Sequence, residues 1–147
     1  MATAFSQALN YLTARNRTVH ETADYLRRKG YSREETEEAV LRLLELDLLN
    51  DRKTASQWVE YTMRCKPRGR DRLYRELQAR GVAREIIEEV LFILDDDTEY
   101  ELAMALLAGR PAAQWSRGKL FRFLRYRGFS VPVIERVKRY YENLTGE

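Results

Sequence analysis

Only one cysteine, Cys65, and one histidine, His20, stand among the 147 residues. Neither a disulfide nor a zinc site of soft protein ligands can be assembled from that pair, so no metal and no cofactor is expected. Proline is scarce at three and glycine at seven, while Leu, Ala, Glu and Arg abound, which favours helices over strands. No apolar run approaches the ~18 residues that cross a bilayer. The opening MATAFSQALNYL lacks the uninterrupted apolar core of a signal peptide. These absences speak against a membrane partner and make the cytoplasm the expected location. A glycine-rich phosphate loop and a nucleophile–base pair are also missing, so no catalytic residue is assigned and the chain is expected not to be an enzyme.

What is present describes a folded protein of ordinary domain size. Hydrophobic residues make up 44% and charged residues 33%, enough to build a core under a charged surface. The formal net charge of +3 conceals an alternation along the chain. Residues 61–82 carry seven basic and two acidic side chains, and 83–109 carry one and eight. Residues 110–128 then carry six basic side chains and no acidic one. Two basic blocks of this kind suit a polyanion or an acidic protein surface.

The chain repeats. Gly30, Gly81 and Gly128 each follow a leucine four residues earlier (Leu26, Leu77, Leu124) and a cation one residue earlier (Lys29, Arg80, Arg127). Twelve residues before each glycine stands Thr18, Gly69 or Ser116, all residue types that begin helices. Between cap and glycine the positions four and eight after the cap form one stripe at helical spacing: Thr22 and Leu26, Leu73 and Leu77, Leu120 and Leu124. The glycine reads as the left-handed residue that ends the helix. Tyr31, Val82 and Phe129 follow, just before second caps at Ser32, Ala83 and Ser130, and can staple onto Thr36, Ile87 and Ile134. The second helices carry Ala39, Val40 and Leu43, then Ile86, Ile87, Val90 and Leu94, then Val133, Ile134 and Val137. Leading helices carry Phe5, Ala8, Leu9 and Leu12, then Ala55, Trp58, Val59 and Thr62, then Leu102, Ala103, Leu106 and Leu107. The expectation is an all-α chain of nine helices in three tandem trios, residues 1–50, 51–96 and 97–147, stacked as an elongated array.

Register allows equivalent positions to be compared within the one sequence. In the first trio Thr18 is followed by Glu21, a capping box, and by Asp24, both in accord with the helix dipole. The second trio places Arg72 and Arg75 there, and the third Lys119 and Arg122. The first helical position is Arg70 and Arg117 against Val19. Cations at a helix start are disfavoured by about 0.3 to 1 kcal/mol each when exposed, so fold stability does not ask for them. A helix start with added arginines suits phosphate or carboxylate groups. Arg64, Lys66 and Arg68 extend the second cluster, and Arg125 and Arg127 the third. The plainer reading of these eleven cations is a solvated face kept for solubility. The preponderance of arginine and its recurrence at one register favour a binding face.

Other conspicuous residues read as structural. Trp115 precedes the cap Ser116 and can staple onto Leu120, while Trp58 shares a stripe with Ala55 and Thr62. His20 belongs to a helix first turn at the surface. Cys65 sits in a basic stretch with no histidine or resolving cysteine near it in sequence. The acidic run Asp95, Asp96, Asp97 and Glu99 reads as a cap and first turn for the seventh helix rather than a metal site.

Several stretches resemble the RecX family. Leu48-Leu49-Asn50-Asp51-Arg52-Lys53-Thr54-Ala55 is similar to its hallmark of apolar residues, paired aspartates, a polar gap and alanine, with Asn50 in place of the first aspartate. Lys66-Pro67-Arg68-Gly69-Arg70-Asp71-Arg72-Leu73 and Glu76-Leu77-Gln78-Ala79-Arg80-Gly81 resemble the central signature. Lys119-Leu120 and Phe123 through Ser130 resemble the third. Tyr11-Leu12, Arg15, Arg17 and Glu21 match the first, where Thr22 replaces the usual leucine. The resemblance implies a monomeric array of three-helix repeats that binds the filament formed by the recombinase RecA on DNA. There it restrains assembly, ATP hydrolysis and strand exchange, with a place in recombination, repair and the SOS response. Single- or double-stranded DNA is a further expected partner. Basic trihelical units also read DNA alone, so a free-standing DNA-binding protein is a rival, and a passive adaptor another.

Overall fold

Each expected cap begins a helix and each of the three glycines ends one. The computed structural model describes residues 2–145. Met1, Gly146 and Glu147, the outer ends of the first and third expected trios, lie outside the described residues. The described residues form nine α-helices and no strand: α1 (Ala4–Thr13), α2 (Val19–Arg28), α3 (Arg33–Glu45), α4 (Asp51–Cys65), α5 (Arg70–Ala79), α6 (Arg84–Leu91), α7 (Asp96–Leu107), α8 (Arg117–Tyr126) and α9 (Val131–Thr145). A 3-10 turn at Ala112–Gln114 precedes α8.

The local chemistry explains these limits. Thr18 Oγ1 accepts the Glu21 N–H while Glu21 reaches back to the Thr18 N–H, which closes the expected capping box of α2. Ser32 and Glu35 form the same box for α3, and Ser116 accepts the Lys119 N–H at the start of α8. Asn50 opens α4 by accepting the Lys53 N–H at 3.1 Å, so it serves as cap where an aspartate was expected. Gly30, Gly81 and Gly128 have φ of 95°, 84° and 91°. At all three the glycine N–H donates three residues back and the next N–H donates five residues back: Tyr31 to Leu26, Val82 to Leu77 and Phe129 to Leu124. This is one termination motif repeated three times.

The chain divides into two compact units. The first comprises residues 1–57 and 77–87, with α1, α2 and α3 around buried Ala4, Ala8, Leu26, Ala39, Leu43 and Leu49. Thr22 is fully buried among them, and its hydroxyl donates to the Thr18 carbonyl at 2.9 Å, so the departure from leucine leaves no unsatisfied group. The second comprises residues 58–76 and 88–147, where Ala103, Leu107, Leu120, Leu124, Phe129, Val133, Ile134 and Val137 form the core of α7, α8 and α9. Full burial of each Val, Leu, Ile or Phe side chain there contributes about 1.5 to 3 kcal/mol relative to exposure.

One placement differs from expectation. Leu94 is fully buried but does not belong to α6, which ends at Leu91. The chain leaves the helix there, exposing Phe92 and Ile93, and returns Leu94 to the interior from the turn before α7.

Candidate functional site

The caps and terminal glycines create two equivalent joints, one inside each compact unit. In the first, the start of α2 meets the turn at Gly81. Thr18 Oγ1 donates to the Arg80 carbonyl at 2.6 Å, and a Cβ on Gly81 would fall 2.2 Å from the Cβ of His20. Exposed His20 thus has a packing role through its first carbon. In the second joint the start of α5 meets the turn at Gly128. The Gly69 N–H donates to the Arg127 carbonyl at 2.8 Å and the Asp71 N–H to the Gly128 carbonyl at 3.1 Å. A Cβ on Gly69 would lie 2.3 Å from the Gly128 oxygen, and one on Gly128 would lie 2.3 Å from the Cβ of Arg72. Glycine is required on both sides because backbone meets backbone.

A carboxylate also closes the first turn in each joint. Asp51 accepts the Val19 N–H at 2.9 Å, and Glu99 accepts the Arg70 N–H at 2.8 Å. Val19 and Arg70 are the first residues of α2 and α5. Burial pushes the Asp51 carboxyl above the ordinary aspartate range against the pull of the Val19 bond. Glu99 is fully buried and also binds Arg70 Nε at 3.0 Å. Its role therefore exceeds that of a first-turn charge on α7, whose cap is Asp95.

The side chains at the third helical position set the two joints apart. In the first, Glu21 meets Arg80: the guanidinium donates from Nη2 at 3.0 Å and Nε at 3.3 Å, and from Nη2 to the Asn16 carbonyl at 3.1 Å. Burial opposes ionisation of Glu21, but the bonds from Arg80 and Thr18 prevail and hold its carboxyl below the usual range. In the second joint the equivalent residues are both cations, Arg72 and Arg127. Arg127 lies over the Phe123 ring at 3.9 Å, and Arg72 lies over Tyr126 at 5.4 Å. Burial, and then the charges of Arg110 and Arg72, press the Arg127 guanidinium below its ordinary pKa. The first joint is balanced within itself. The second carries excess positive charge.

The eleven cations singled out from sequence divide accordingly. Arg68 is 11% exposed, bonded to Glu76 and to the Lys66 carbonyl. Arg70 pairs with Glu99 and Asp96, Arg125 with Asp71 at 2.6 Å, and Arg117 with Glu142 at 3.0 Å. These four hold carboxylates of the chain, so the fold does make use of Arg70 at a helix start. Arg75 is exposed, its Nε 3.3 Å from the Asp71 carbonyl. Arg64, Lys66, Lys119 and Arg122 are exposed, and Arg72 and Arg127 half-buried, with no carboxylate partner among the described residues. Arg110 was not among the eleven, yet it lies over Phe123 at 5.1 Å and Trp115 at 5.9 Å. Its signal in the sequence is membership of the all-basic block. Trp115 packs on the core that holds Leu120, half-buried, as its staple position implies. Among the described residues, no cluster of three or more His, Cys, Asp or Glu could hold a metal, and no helix is long and apolar enough to cross a membrane.

Comparison with known proteins agrees with the repeat. Residues 4–43 match the model for the first three-helix domain of RecX, and residues 50–91 match that for the second. The regulatory protein RecX of Caldanaerobacter subterraneus is 34% identical over 134 residues, which cover 90% of this chain and 68% of the relative. That of Lactobacillus johnsonii is 29% identical over 140 residues, 91% of this chain and 52% of the relative. The chain spans about half the length of the first curated relatives it matches. The crystal structure of RecX from Lactobacillus salivarius superposes with a TM-score of 0.85 at 27% identity, covering 95% of this chain and 94% of that one. Since two successive domain models together account for more than half of its residues, this chain belongs to the RecX family.

Proposed function

We propose that the chain is a non-enzymatic regulator of homologous recombination and DNA repair that binds the RecA–DNA filament and restrains its assembly, ATP hydrolysis and strand exchange. Family membership carries this reading, because the relatives bear the name regulatory protein. The distribution of charge supports it. Cations with no carboxylate partner among the described residues recur on α5 and α8, at the register where α2 carries Glu21 and Asp24. Arg64, Lys66, Arg72, Arg75, Lys119, Arg122 and Arg127 are the docking cations in this reading. Arg68, Arg70, Arg117 and Arg125 are subsidiary contacts in this reading, because they hold carboxylates of their own chain. The trios at 1–50, 51–96 and 97–147 act as its modules, in a cytoplasmic monomer.

The test is binding to RecA assembled on labelled DNA. Arg72→Glu with Arg75→Glu is expected to weaken binding roughly tenfold or more and to make its salt dependence shallower, as cation contacts are lost. Parent-like binding and inhibition at physiological salt would reject the basic face. Naked duplex DNA bound as tightly as the filament would instead favour a free-standing DNA-binding protein. ATP hydrolysis that tracks a residue of this chain would end the non-enzyme reading.

A further inference from the structure

The two joints pose a question of charge. Each places an arginine at the residue before the terminal glycine, Arg80 or Arg127, against the first turn of an earlier helix. In the first joint that arginine is answered by Glu21. In the second the matching residue is Arg72, whose Cβ lies against Gly128, and exposed Arg110 approaches the same Phe123 ring as Arg127. The neighbouring carboxylates are committed elsewhere, Asp71 to Arg125 and Glu76 to Arg68. Three guanidinium groups therefore gather with no internal anion among the described residues.

We infer that Arg72, Arg110 and Arg127 form a seat for a phosphodiester of single-stranded nucleic acid, with Tyr126 receiving an adjacent base. This rests on the filament-binding reading above and names the component of the filament that the site takes. Phosphate suits the cluster because arginine presents a planar fork of donors to its oxygens. The mutual pressure of Arg110 and Arg72 on Arg127 is relieved when an anion enters. The choice of nucleic acid over an acidic peptide comes from the ring beside the cations. Tyr126 is 74% exposed and Arg72 covers it at 5.4 Å, a pairing of cation and open aromatic face that an unstacked base can join. A duplex keeps its bases stacked and offers nothing to that ring. Bases stacked on such rings strengthen binding by roughly fivefold to a hundredfold each.

The experiment titrates the full chain with oligothymidylate, inorganic pyrophosphate and poly-glutamate of matched charge at roughly 50 mM salt, where phosphate contacts are strongest. Oligothymidylate is expected to bind best. Arg110→Gln, a change at an exposed residue that lies over the outer rings of Phe123 and Trp115, should weaken it several-fold. Arg72→Glu should weaken it further, because the new carboxylate can reach Arg127 as Glu21 reaches Arg80. Tyr126→Ala should lower oligothymidylate affinity about tenfold and leave pyrophosphate affinity unchanged. Retained helical circular dichroism shows that the variants fold. Oligothymidylate binding indifferent to both Arg110→Gln and Arg72→Glu overturns the seat, and so does a preference for poly-glutamate with the same arginine dependence. Tyr126→Ala that weakens both ligands equally, or neither, removes the base from the assignment. If the parent binds the RecA filament and Arg110→Gln and Arg72→Glu leave that binding intact, the seat fails while the filament reading stands. Cluster-dependent oligothymidylate binding without any filament binding upholds the seat and defeats that reading.

Discussion

Glu99→Ala should destabilise the second unit more than any change to an exposed carboxylate. The Glu99 side chain has no solvent exposure, and it accepts the Arg70 N–H at 2.8 Å and Arg70 Nε at 3.0 Å, with the Ser130 N–H more distant at 3.4 Å. Alanine leaves the first-turn N–H of α5 without an acceptor, which costs about 1 to 3 kcal/mol in a buried setting. The 3.4 Å contact adds little. The Arg70 guanidinium is 37% exposed and keeps Asp96 at 2.8 Å, so solvent screening and the second partner limit the ionic loss to about 1 kcal/mol. Relief from burying a carboxylate offsets part of this, while the space left behind costs about as much again. The net expectation is about 3 kcal/mol, or a fall in Tm of about 6 to 12 °C for a chain of this size. Urea unfolding followed by circular dichroism at 222 nm measures it, with Asp96→Ala as the control that should stay close to the parent. Glu99→Ala within about 0.5 kcal/mol of the parent would refute the argument, since α5 would then not depend on a buried acceptor.

Gly81→Ala should be far more damaging than Gly30→Ala. Both have positive φ, 84° and 95°, but only the Gly81 Cβ meets His20, at 2.2 Å, whereas nothing lies within 4 Å of one on Gly30. Equal losses in thermal unfolding would show that backbone strain alone decides. Acidification tests the Glu21–Arg80 pair. The folded Glu21 carboxyl titrates below the ordinary glutamate value of about 4.5, so its contribution is present above about 4.5 and lost as pH falls through the lower folded value. Asp51 runs the other way: its folded pKa lies above 3.8, so its relative contribution is present below that value and lost as pH rises through the folded one. Glu21→Gln should therefore lower stability near neutrality and flatten its decline below pH 4.5, read from urea midpoints across pH. A Glu21→Gln profile parallel to the parent's would mean that the ion pair adds nothing.

The parts of the fold that were legible in the sequence are those written within one helical turn. Thr18 with Glu21, Ser116, and the leucine–cation–glycine endings all depend on neighbours three to five residues away, so the pattern of residue types contains the whole interaction. Glu99 was legible only as an acidic first-turn residue, because its partner Arg70 lies 29 positions earlier and no periodicity links them. The same distance hid the purpose of Arg70, which looked like a cation contrary to the helix dipole and is held by a buried carboxylate. Arg110 escaped for a different reason. It lies outside the repeated helix, in the connection before α8, where register predicts nothing. The helical stripe also overran at Leu94: four residues after Val90 is a correct period, but the turn that ends α6 delivers the same side chain to the interior without a helix.

The two joints separate what holds the chain from what is free to vary on its surface. Both rest on one bond to a backbone carbonyl and one buried or half-buried carboxylate: the Thr18 hydroxyl to the Arg80 carbonyl with Asp51 on Val19, and the Gly69 N–H to the Arg127 carbonyl with Glu99 on Arg70. Neither set uses the side chain at the third helical position. Residue 21 can therefore be a glutamate that neutralises Arg80, and residue 72 an arginine that does not neutralise Arg127, while each joint keeps these bonds. The difference in charge costs the fold little, because the half-buried Arg127 spreads over the Phe123 ring at 3.9 Å and Arg72 over Tyr126. A repeat whose joints are closed by a bond to a backbone carbonyl and a carboxylate on the first helical N–H can thus carry a self-satisfied copy and an anion-seeking copy in one chain. The side chain at one position decides which copy is which.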